Sequence, residues 1–181
     1  VSDQYKDPFV RSHPVATDRL ARLRDLVASS PYADQVDPAA LQLRHDLMRA
    51  KLAAYLDRPG TVFNRYPPSD TSLPARYARA IGRFFQGGSG ALEASLNMID
   101  DLIKENPSNP YFWEVKGDVL MRSGKMKEAA PNLRHALKLA PDSTLIRVQL
   151  ATALQNGNDA AASAEAVELL RKSLVTDLNP H

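Results

Sequence analysis

Apolar residues along this chain recur at three- and four-residue spacing, and alternating apolar–polar runs are missing. That is the period of an α-helix rather than a strand, so the pattern predicts an all-α fold. Prolines and glycines fall between the periodic stretches, where they punctuate. Residues 1–16, with Pro8 and Pro14, read as an extended arm. A helix follows from about Thr17, capped by Thr17 and Asp18, with Leu20, Leu23, Leu26 and Val27 as its apolar stripe. Ser29, Ser30 and Pro31 end it. Asp37 and Pro38 then form an N-cap and first helical position. The second helix is expected to carry Leu41, Leu47, Met48, Leu52 and Tyr55 inward and to stop near Arg58-Pro59-Gly60. From Pro59 to Pro74, with Pro67-Pro68 inside it, the chain reads as an extended strap along the helices. The linker helices and strap thus occupy 17–70, and a repeat array occupies 71–181.

The strongest repeat unit runs from Asn109 to Pro141. Gly117 and Ala129 lack the bulk that would keep two helices apart. Trp113, Leu120 and Leu133 fill the space between them, so Trp113 is expected in the core. Gly124 allows the tight turn, and Pro141 stops the second helix. An earlier, weaker unit places Gly90 and Pro107 34 residues before Gly124 and Pro141. Its first helix is shifted by one residue, with Ala78, Gly82 and Phe85 at the contact positions. A later unit begins with Leu150, Ala151 and Leu154, lengthens by about three residues between Asn156 and Ser163, and resumes at Leu170 and Ser173. These positions resemble the tetratricopeptide (TPR) repeat, a helix-turn-helix of about 34 residues that stacks into a solenoid. Asn179-Pro180-His181 repeats the Asn109-Pro110-Tyr111 opening, so the chain is expected to be a fragment that stops where another repeat would start.

Composition narrows the chemistry. With 23 basic and 21 acidic residues the net charge is +2, too even for the concentrated basic field that nucleic acid requires. There is no cysteine, which removes disulfides, thiolate metal sites and cysteine nucleophiles. No apolar run is long enough to span a membrane. His13, His45, His135 and His181 form no HExxH motif, and no nucleophile elbow or phosphate-cradling loop with lysine occurs. Gly87-Gly88-Ser89-Gly90 reads as a plain turn between helices. No catalytic residue is therefore assigned.

Binding is the remaining chemistry. In a solenoid the first helices of successive repeats line a concave face. The positions expected there are Arg76, Arg79, Arg83 and Gln86, then Tyr111, Glu114, Asp118 and Met121, then Leu145, Val148, Thr152 and Gln155. That series grades from basic through mixed to apolar. Arg76, Arg79 and Arg83 share a helix face. They either grip carboxylates of a ligand in bidentate fashion or form a solvated face paired with Glu114 or Asp118. The expected partner is a protein or peptide, with no nucleic acid and no membrane span.

The string Ser12-His13-Pro14, followed by Arg19-Leu20 and Leu23, resembles the segment after the catalytic domain in zinc metallopeptidases of the HtpX and prenyl-protease family, in its BepA-like periplasmic branch. The six-residue step from His13 to Arg19 matches, as does the order of an alanine-rich helix (with Arg49-Ala50-Lys51-Leu52) and a TPR array. The resemblance implies a parent that is a periplasmic zinc endopeptidase, with its HExxH helix before Val1. In this reading the repeats recruit misassembled substrates or an assembly machine. It further implies that His13 can occupy the open position of the parent's zinc and hold the enzyme shut; a catalytic zinc needs that position for water or substrate. The fragment itself would hold no cofactor. The competing reading is a TPR adaptor with no peptidase attached.

Overall fold

In a computed structural model the described residues are 16–156 and 160–177, and His13 and the Asn179-Pro180-His181 ending lie outside them. Among the described residues there are nine helices and no strand: α1 (Ala16–Ser29), α2 (Ala39–Leu56), α3 (Pro59–Arg65), α4 (Leu73–Gln86), α5 (Ala91–Glu105), α6 (Pro110–Arg122), α7 (Met126–Leu139), α8 (Thr144–Gln155) and α9 (Ala160–Asp177). The chain divides into two units, Val1–Gln42 and Leu43–His181. In the first, α1 is amphipathic, and its Leu20, Leu23, Leu26 and Val27 stripe is exposed.

The second unit is a run of helical hairpins, α4–α5, α6–α7 and α8–α9, stacked so that α6 neighbours both α4 and α8. Each first helix has a side-chain cap. Ser72 Oγ accepts from the Ala75 N–H, Asn109 Oδ1 from Tyr111 and Ser143 Oγ from Ile146. Gly90 and Gly124, 34 residues apart, both take positive φ (72° and 76°) where the chain turns into the second helix. Gly117 is where α6 and α7 nest: a Cβ there would lie 2.5 Å from Leu133 Cγ. Ala129, Ser95 and Ala166 are the corresponding small residues of the three second helices, all fully buried. The steps between them are 34 and 37 residues, so the third unit is three residues longer, as expected. Ser95 replaces alanine without cost because its Oγ donates 2.7 Å to the Ala80 carbonyl of the facing helix.

The structure corrects several expectations about packing. The segment from Pro59 is not extended throughout. Its first half is α3, whose buried Val62 packs 3.2 Å from the Cβ position of Gly82, so that glycine admits α3 rather than α5. Trp113 is half-buried; its Nε1 donates to the Pro107 carbonyl and its ring lies over His135. The core position is Phe112, fully buried against the edge of Tyr77. On α2, Leu47 and Tyr55 pack against the core as expected, but the other three residues of the expected stripe do not. Ala50, Ala53 and Ala54 are buried, whereas Leu41, Met48 and Leu52 are about half exposed. Ala50 and Ala54 join the core cluster of the array, with Leu47 and Tyr55 packed against it.

Candidate functional site

The four α4 positions expected to face a ligand are engaged within the chain. Arg76 makes a bidentate pair with Glu105 at the end of α5. Arg79 Nη1 donates to three carbonyls of the strap, those of Tyr66, Pro67 and Asp70 (3.3, 2.8 and 2.8 Å). Arg83 Nη1 donates to Gln86 Oε1 at 2.9 Å. The arginines share a face, as their spacing requires, but that face holds the strap and the hairpin together. None of the three pairs with Glu114 or Asp118.

On α6 the expected positions also differ from a solvated groove. Glu114 and Asp118 are 1% and 8% exposed. Their cover is the second half of α2. Lys51 pairs with Glu114 Oε2, and Tyr55 Oη donates to Asp118 Oδ2 at 2.7 Å. Gln149 of α8 donates to the other Glu114 oxygen at 2.9 Å, and Arg122 Nε donates to Asp118 at 2.7 Å. Lys51 and Tyr55 are one turn apart, as are Glu114 and Asp118, and each pair spans 63 residues. The second half of α2 therefore runs parallel to α6, in register with it. Tyr55 also meets the edge of Phe85, and the Lys51 ammonium lies over the Tyr111 ring. Burial, and then the Asp118 carboxylate beside it, pushes the Tyr55 phenol far above its ordinary pKa, so it stays a donor throughout the accessible pH range. Met121 is partly buried and packs against the core around Leu120 and Leu133.

Two parts of this inner face stay open. On α8, Leu145 and Val148 are exposed. Beside the first half of the seated α2 segment lies a cleft of about 760 Å³. Arg44, Leu47 and Met48 of α2 form one wall. Asn106, Ser108 and Asn109 of the α5–α6 turn form another, with Tyr111 beside them. Lys51, Tyr77, Pro110, Phe112, Leu139 and Ala140 complete the lining. Sequence reasoning missed this cleft because it treated α2 as a linker. The one available signal was the matching of two four-residue pairs, Lys51/Tyr55 and Glu114/Asp118, with complementary chemistry.

Among the described residues no group of three or more His, Asp or Glu side chains could hold a metal ion, and no helix is long and apolar enough to cross a membrane. No family model matches the chain, and no curated protein matches it. Two solved structures of MamA, a TPR-like helical protein, share its fold. One, the crystal structure of MamA protein, is 16% identical with a TM-score of 0.56, over 88% of this chain and 87% of the other. The second, MamA AMB-1, is 15% identical with a TM-score of 0.52, over 91% and 86%. At such identity the likeness shows an all-α TPR-type solenoid and nothing narrower.

Proposed function

We propose that this chain is a protein-interaction region that binds a polypeptide partner on the inner face formed by α4, α6 and α8. The observation that carries this reading is that the face already clasps a helical segment. It engages residues 47–55 through a buried ion pair, a tyrosine–aspartate hydrogen bond and a close alanine face, and leaves an open cleft alongside. A surface with these properties suits polypeptide, and among the described residues no group of three or more His, Asp or Glu side chains is placed to hold a metal ion there. A photo-crosslinking residue at Tyr111 or Leu139 is expected to capture a partner in the cells that make the protein, while the same residue at Lys127, exposed on α7, is not. Equal labelling at Lys127 would place binding elsewhere.

A narrower reading rests on the Ser12-His13-Pro14 string and the order of elements after it. In it the region belongs to a periplasmic zinc endopeptidase and recruits misassembled proteins or assembly machinery to that enzyme, and His13 caps the zinc. The parent reading frame would encode HExxH upstream of Val1, and His13→Ala in the whole protein would raise proteolysis. A parent without HExxH leaves the adaptor reading alone.

A further inference from the structure

The geometry points to the occupant of the cleft beside α2: an extended peptide segment in which a bulky apolar side chain is followed or preceded by an acidic one. This rests on the partner-binding reading and adds the chemistry of the partner.

The lining supplies two kinds of contact. Leu47, Met48 and Leu139 offer apolar walls, and a volume of about 760 Å³ has room for a large side chain and the backbone on either side of it. The polar lining is one-sided in charge. No carboxylate lines the cleft, and its two cations are Arg44 and Lys51. The charge of Lys51 is spent on Glu114. Arg44 stands exposed at the cleft, with no ion pair or hydrogen bond to any described residue. An acidic side chain next to an apolar anchor would give that guanidinium the planar, bidentate partner it suits best. Asn106 and Ser108 also have side chains without a partner among the described residues. They carry donors and acceptors of the kind that an extended backbone needs. A basic segment would meet Arg44 with like charge and leave those apolar walls as its one attraction.

Fluorescence anisotropy with the whole 181-residue chain tests this. The probe is a fluorescein-labelled hexapeptide, Gly-Ser-Glu-Phe-Ser-Gly, capped as the amide. Its companions carry Lys for Glu, Ala for Phe, or an uncapped C-terminus. The Glu–Phe peptide is expected to bind at least about tenfold more tightly than the Lys–Phe or Glu–Ala peptides, a gap of about 1.4 kcal/mol. Arg44→Glu, which changes an exposed side chain and leaves the fold intact, should invert the preference so that Lys–Phe binds better than Glu–Phe. Leu139→Arg, checked for helical content by circular dichroism, should abolish both. Equal binding of Glu–Phe and Lys–Phe, or no response to Arg44→Glu, overturns the acidic assignment while leaving a peptide-binding face standing. Binding only of the uncapped peptide overturns it in favour of a site for chain termini. No binding of any peptide overturns this inference alone if crosslinks at Tyr111 still form, and overturns the partner-binding reading too if they do not.

Discussion

The inner helices α4 and α6 occupy matching places in consecutive hairpins, yet they use their charges in opposite ways. On α4 the arginines reach sideways and hold the strap and the end of α5, at or near the surface. On α6 the carboxylates point inward and are buried under α2. The difference teaches that charge at an inner position does not mark a ligand site by itself. What decides is whether the chain supplies a partner of its own. Exposed pairs such as Arg83–Gln86 add little to stability, whereas a buried carboxylate stripped of its partner is costly.

The largest expected effect follows from that contrast. Lys51→Met leaves the Glu114 carboxylate buried with Gln149 as its remaining protein partner, and should cost about 3–5 kcal/mol in urea unfolding. Arg83→Ala on α4 should stay within about 0.5 kcal/mol of the parent chain. Lys51→Met combined with Glu114→Met should recover most of the loss, because two apolar groups replace the pair without stranding a charge. If the single Lys51 variant is as stable as Arg83→Ala, α2 is not seated as described.

A smaller effect separates two glycines that look alike in the sequence. Gly117→Ala drives a methyl group to 2.5 Å from Leu133, inside a contact that must shift, and should cost about 1–3 kcal/mol in thermal or chemical unfolding. Gly82→Ala meets Val62 at 3.2 Å, a contact that yields by a few tenths of an ångström. There the helix preference for alanine, about 1 kcal/mol, offsets the crowding, and little net change is expected. Equal losses at both sites would mean that α3 grips Gly82 as tightly as α7 grips Gly117.

These cases also show what the sequence made legible. The hairpins from α4 onward were readable because small residues, turn glycines and stop prolines each leave a positional trace, from Gly90 and Gly124 to the three-residue lengthening before Ala166. Side-chain direction was harder to read. On α2 both the leucines and the alanines fit a helical stripe, and only packing decides that Ala50 and Ala54 are buried while Leu52 is half exposed. Trp113 and Phe112 are adjacent, and bulk alone favours Trp113 for the core, but its indole N–H reaches the Pro107 carbonyl at the edge instead. The candidate face was legible as a set of positions. The α2 seat was not, because its partners lie 63 residues apart and no local pattern joins them.

The smallest effect tests whether the α4 pairs matter to the fold at all. The guanidinium of Arg76 holds the Glu105 carboxyl below the usual carboxylate range, and a backbone N–H from Ser72 does the same for Asp70. A folded pKa below the unfolded one means that each carboxylate adds stability above its ordinary pKa. That stability is lost as pH falls through the lowered value. Both groups are solvent-facing, so screening keeps the contribution small. Following the thermal midpoint from about pH 7 to about pH 3 should show Glu105→Gln less stable than the parent at neutral pH, with the gap closing as acid protonates Glu105. A gap that persists at low pH would assign the effect to lost packing rather than charge, and the α4 arginines would then hold the hairpin through shape alone.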